Sequence, residues 1–325
     1  MRNLIAFIAI SSISFASAQD IFTSRDTLFF GEGYSRSIAL QKNKLIIGTS
    51  KSGVLSYNLK AKKVETIVQP VNCGEFRDVI VDGKSIYACV SGDSGIVYQV
   101  KGKRVTEIFN KKCFIDDIVK RNNEIIILSD PVDNKFSVNI QFIKSGWTLT
   151  TNEEQMREGE AFYAASGTTA QLIEGMYYMI SGGPNNATFY RKNTFDYHTQ
   201  IQTELPMHKS EGAGPFSICM FDKMNGVIVG GNYTQPNISD STSVYTADGG
   251  KTWILSETPT HGYRSCVTGT PERLFACGSN GIDYSIDGGK TWTWVDKGNY
   301  CALLLEGNVL YATTNKGFVL KLGLK

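Results

Sequence analysis

The sequence has no CxxC pair, no cysteine–histidine cluster at zinc-ligand spacing, and only three histidines in 325 residues. No metal centre is therefore expected. It also has no GxxxxGK[ST] run and no dinucleotide fingerprint, and segments such as GGPNN and VGGN open no helix, so they read as turns rather than phosphate cradles. No cofactor is expected. Charge of one sign is missing too: 33 basic against 31 acidic residues leave +2, which offers no global attraction for nucleic acid or a membrane surface. Proline is scarce at 8 residues, whereas glycine reaches 32. Tyr, Phe and Val runs separated by Gly and Asn fit an all-β protein with many turns.

The N-terminus has the makings of a leader. Arg2 supplies a positive n-region, Leu4–Phe15 an apolar stretch, and Ala16-Ser17-Ala18 a small-residue cleavage site. The expectation is a signal peptide over 1–18, cleavage near Ala18, and a chain exported to a periplasm or secreted. The apolar stretch is short for a transmembrane anchor, and no second one of spanning length follows. Export would permit disulfides. Seven cysteines leave at least one free, most sit in apolar strand contexts such as YACV and FACG, and Cys73 with Cys113 is the one pair worth testing.

Repeats carry most of the information. An apolar run followed by small turn residues recurs seven times: LIIGTS, IYACVSG, IIILSDP, YYMISGGP, VIVGGN, LFACGSN and LYATTN. A β-rich run follows each turn. A shorter strand precedes it, often opened by an aromatic: Tyr34, Phe76, Phe114, Phe162, Phe216, Tyr263 and Tyr300. Seven four-stranded units of this size predict a seven-bladed β-propeller of antiparallel blades spanning 19–325 as one domain. The last unit holds only three strands, and Asp26–Phe30 has no partner of its own. That N-terminal strand is predicted to close the ring.

YTADGGKTW and YSIDGGKTW lie 39 residues apart, at equivalent places in two units. Asp and Gly-Gly suit a tight hairpin, with the carboxylate accepting backbone N–H groups and glycine free to adopt positive φ. The tryptophan then begins the next strand and packs over the turn. Asp248, Gly250 and Trp253, and likewise Asp287, Gly289 and Trp292, are expected to be structural.

Both segments match S/T-x-D-x-G-x-T-W and so resemble the Asp-box (BNR) repeat. Two groups share it: sialidase-like glycosidases, and the photosystem II assembly/stability factor family with its exported bacterial relatives. The chain resembles the second more closely, through FRDVIVDGKSIYACVSGDSGIVYQ, GEAFYAASGT, GVIVGGNY and GYRSCV. That resemblance implies a propeller that binds proteins or peptides.

Propeller ligands usually meet the loops around the central channel. Arg36, Arg77 and Arg264 fall at similar repeat positions in SRSIA, FRDVI and YRSCV, and are expected to converge on one anionic group. Tyr34, Phe76 and Tyr263 are their expected aromatic neighbours. The partner is expected to be a protein or peptide, or an anionic glycan, met by a monomer. The alternative is a glycoside hydrolase, which needs two carboxylates across the sugar. Asp116 with Glu160 is the candidate pair, although the sialidase Arg-Ile-Pro motif is missing. SGDSG (91–95) resembles a serine-protease loop, but every histidine follows it and it falls on a repeat turn. Asn232–Ser243 reads as a polar surface loop, either bordering a binding face or idle, with the idle reading favoured.

Overall fold

The computed structural model describes residues 21–195 and 198–325. The leader expected over 1–18 lies outside them. Seven four-stranded antiparallel sheets follow one another around a ring. Blades one to six span 35–68, 74–111, 115–150, 170–204, 213–255 and 266–296. Blade seven combines Tyr300–Glu306, Val309–Thr314 and Phe318–Leu324 with the N-terminal strand Phe22–Phe30. That strand runs antiparallel to Phe318–Leu324 with Asp26 opposite Lys321, so the two ends of the ring share one sheet. A small ribbon of Lys135–Phe136 and Glu154–Gln155 is added beside blade three.

The continuous apolar runs arise because the inner strands are buried on both faces. In blade one, Leu45 and Ile47 pack toward blade seven while Ile46, between them, packs toward blade two. Period-two alternation thus feeds two cores from one strand. The core is divided among seven clusters, each filling one gap between adjacent blades.

The two D-G-G-K-T-W hairpins join the third and fourth strands of blades five and six. Asp287 accepts the Thr291 N–H at 3.0 Å and the Thr291 hydroxyl at 2.6 Å. Asp248 does the same with Thr252 at 2.9 and 2.7 Å. Partial burial pushes each carboxyl up, but these bonds together outweigh it and hold both below the usual carboxylate range. Gly250 has φ 84° and Gly289 φ 86°. Each hairpin also reaches the preceding blade. Trp253 meets Phe189 edge-on at 5.1 Å, and the Gly250 and Gly289 carbonyls accept the Thr203 and Ser256 hydroxyls at 2.6 and 2.7 Å.

The first strands of blades one, two, three and five share a break in register near their start, between Ser35 and Ser37, Phe76 and Asp78, Ile115 and Asp117, and Pro215 and Ser217. One extra residue at each break turns toward the channel. In blades two, three and five the residue after it reaches sideways to the next blade. Asp78 accepts the Ile118 N–H at 3.2 Å, Asp117 that of Ala170 at 2.7 Å, and Ser217 that of Val267 at 2.9 Å. All seven cysteines are free. Cys73 packs in the gap between blades one and two, and Cys113 in the gap between two and three, so blade two stands between the expected pair.

Candidate functional site

The starts of the first strands and the loops before them enclose a cavity of about 540 Å³ at one mouth of the channel. The extra residues of the bulges, Arg36, Arg77, Asp116 and Phe216, all line it. So do six of the seven strand-opening aromatics: Tyr34, Phe114, Phe162, Phe216, Tyr263 and Tyr300. Tyr163 stacks on Phe216 with ring centroids 4.3 Å apart, and Tyr263 meets Phe216 edge-on at 4.8 Å, which makes one wall aromatic. Tyr233, from the segment expected to be idle, lines the cavity as well, so that loop borders the site.

Arg36 and Arg77 come together on one carboxylate. The Arg36 Nε donates to Glu75 Oε2 at 2.9 Å, and an Arg77 terminal nitrogen lies 3.3 Å from that same oxygen. Arg77 also donates to the Ala164 carbonyl at 2.9 Å. The guanidiniums stand over aromatic rings, Arg36 at 4.3 Å from the Tyr34 centroid and Arg77 at 5.5 Å from that of Phe114. Burial, and then the charge of Arg36, push the Arg77 pKa down. Two cations thus share one anion, and one positive charge is left over.

Asp116 lines the same cavity. It is 1% exposed, and neither carboxyl oxygen has a hydrogen-bond partner among the described residues. Burial raises its pKa well above the carboxylate range; Asp130 and Asp117 add to this, and Arg77 opposes it. Burial likewise lifts Asp130, to about 6. Burial thus disfavours the charged form of Asp116, and the neighbouring Arg77 guanidinium favours it.

Arg264 does not join the other two arginines. It is fully buried, with its Nε 2.6 Å and a terminal nitrogen 2.5 Å from Asp283 Oδ2, and a further bond to the Tyr263 carbonyl at 2.7 Å. The reason is a one-residue offset. Asp78 and Val79 face Cys89 and Ala88 in blade two, just as Cys266 and Val267 face Cys277 and Ala276 in blade six. Arg77 therefore corresponds to Ser265, which does line the cavity. Arg264 corresponds to Phe76, which is equally buried, in the gap between blades one and two. Phe76 is thus a core residue and not a neighbour of the cavity. Tyr34 and Tyr263 line the cavity, Tyr34 being 43% exposed.

Glu160 is 2% exposed and lies outside the lining. It accepts from the Tyr190 hydroxyl at 2.9 Å, the Arg157 N–H at 3.0 Å and the Ser181 hydroxyl. Asp116 and Glu160 therefore do not face each other across the cavity. Among the described residues no cluster of three His, Cys, Asp or Glu side chains is placed to hold a metal ion.

The chain is a β-propeller with a ligand-sized aromatic cavity at one channel mouth. No family model matches it, and no curated protein matches its sequence. Solved structures do match. YCF48 from Cyanidioschyzon merolae aligns over 92% of this chain and 98% of its own, with a TM-score of 0.65 and 13% identity. The WD40 β-propeller domain of Doa1 aligns over 94% and 98%, with a TM-score of 0.67 and 9% identity. BamB from Moraxella catarrhalis aligns over 91% and 85%, with a TM-score of 0.57 and 13% identity. These likenesses are of fold.

Proposed function

We propose that this chain is an exported, non-catalytic binding protein, and that its site is the cavity at the channel mouth. The ligand is a segment of a protein or peptide that presents an anionic group to Arg36 and Arg77 and an apolar or aromatic group to the Tyr163–Phe216–Tyr263 wall. One observation supports this most: two guanidiniums share a single Glu75 oxygen beside an aromatic cavity. The matched hydrogen bonds of the two hairpins support an Asp-box repeat, and with it an assembly/stability-factor-like relationship.

The test is affinity capture from the exported proteome with wild type, Arg36→Ala, Arg36→Ala/Arg77→Ala and Glu75→Gln. Loss of charge-assisted contacts weakens partner binding about 10- to 100-fold in the arginine variants. Glu75→Gln, which frees a positive charge, strengthens it. Partners retained equally by all four proteins would sink the proposal. Turnover of aryl glycosides or sialosides, lost in Asp116→Asn, would instead establish the glycoside hydrolase. Intact-mass analysis of the exported chain tests cleavage after Ala18, and light scattering tests the monomer.

A further inference from the structure

A second concavity, of about 500 Å³, lies between blades one and two at the far ends of their first strands. Arg36 stands near the start of the Ser35–Gln41 strand, at the channel mouth, whereas Gln41 ends that strand and lines this groove. The two sites therefore occupy opposite ends of the same strands. The side-chain amide of Gln41 donates to the Gly83 carbonyl at 3.1 Å and bridges the two blades. Ile67, Ile86 and Val100 give the groove an apolar floor, and Lys42, Lys44, Lys84 and Lys101 stand around it.

Positive charge is in excess here. No carboxylate belongs to the lining, and the ion pairs of the described residues include none of these four lysines. Asp82, beside Gly83 in the chain, is engaged at 3.0 Å by Lys120 of blade three. Glu65 lies opposite Ser56 in the outer strand of blade one, outside the lining. A nearly neutral chain has thus gathered four unpaired cations over an apolar cleft.

We infer that this groove docks an acidic, extended peptide segment whose apolar side chains enter the cleft while its carboxylates meet the four lysines. Shape favours a peptide over a small anion. The four lysines come from three separate turns, 42–44, 84 and 101, and the lining holds no arginine. Shape also disfavours a membrane surface, because the apolar groups form the floor of a recess and do not project. Alternation along an extended strand sends successive side chains to opposite sides, which suits one face of apolar anchors and one of carboxylates.

The experiment is fluorescence anisotropy on the full chain with a labelled peptide of alternating Glu and Leu, beside Glu/Ser and Lys/Leu versions. Saturable binding is expected for Glu/Leu, weaker binding for Glu/Ser and none for Lys/Leu. Raising salt to about 0.5 M weakens it, since exposed charges are screened within a few ångströms. The triple variant Lys42→Glu/Lys84→Glu/Lys101→Glu loses ~30-fold or more in affinity, the summed effect of three reversed surface pairs. Because charge reversal can disturb folding, the Lys→Gln triple variant is measured as well, with an intermediate loss expected. Glu65→Gln tightens binding, and the series is repeated in the Arg36→Ala/Arg77→Ala background, where the saturable binding that remains reports the groove and not the channel mouth. Absence of Glu/Leu binding overturns the inference. So does undiminished binding by the lysine variants, complete loss of saturable binding in the arginine background, or tighter binding to phosphatidylglycerol vesicles or duplex DNA than to the peptide.

Discussion

Replacing Arg264 by methionine tests the assignment of this residue to the scaffold. The substitution keeps much of the apolar stem and removes the charge, leaving Asp283 at 1% exposure without its ion partner. Burial already pushes the Asp283 carboxyl up, with Arg264 opposing, so removing the arginine drives it further toward the protonated form. Breaking a buried pair by removing one member costs about 3–5 kcal/mol. With ~300 ordered residues at ~2.1 cal/mol/K each, the unfolding entropy is ~0.6 kcal/mol/K, so the loss corresponds to a Tm lower by about 5–8 °C. The assay is thermal unfolding followed by tryptophan fluorescence or calorimetry, beside partner capture by the folded variant. Arg264→Met/Asp283→Leu removes both charges and recovers most of the loss. An unchanged Tm in the single variant, together with lost partner binding, would refute the scaffold role and restore Arg264 to the binding site.

Three further outcomes are expected. Gly250→Ala places a Cβ at positive φ against the Phe189 ring, and costs about 2–4 kcal/mol by denaturant unfolding, whereas alanine at the open turn Gly102 costs no more than about 1. Asp287→Ala frees the Thr291 N–H and hydroxyl, and lowers stability by about 1–2 kcal/mol without affecting capture of partners at the channel mouth. Burial raises Asp117 to about 7, and Asp78, hydrogen-bonded to it, is raised as well. Because the folded state binds protons more tightly than the unfolded chain, this stabilisation is full below pH ~4 and is lost as pH rises toward 7. Asp117→Asn keeps the acceptor for the Ala170 N–H and flattens that slope, as a series of Tm values against pH will show.

The ring was legible because each inner strand is buried twice, and so writes itself as an unbroken apolar run such as LIIGTS or IIILSD. The closing strand was legible through a simple deficit, three strands where four were needed. The site was harder to read. A bulge adds one residue, and one residue exchanges channel for core, so aligning YRSCV with FRDVI by their shared arginine misplaced Arg264. The register of hydrogen bonds reveals the offset, and letters alone do not. Glu75 gave no signal because it stands where Tyr34 stands in blade one and Phe114 in blade three, two residues before the bulge. The aromatics themselves were visible as strand openers, and six of the seven reach the cavity. Only Phe76, one place nearer its bulge, turns into the core.

The seam in blade seven makes the molecule a hoop whose latch is non-covalent. The Lys325 N–H reaches the Ile21 carbonyl at 3.1 Å, so the two ends of the folded domain meet. Linking them with a short peptide and opening the chain at Gly102, where a turn faces open space, would preserve every strand pairing in a different order of synthesis. In the natural order the first strand made must wait for the last. An emerging chain therefore has six complete blades and an unlatched edge until Phe318–Leu324 appears, and the opened permutant would move that wait into blade two, whose outer strand Arg104–Lys111 would be made first and its partner Gly95–Lys101 last.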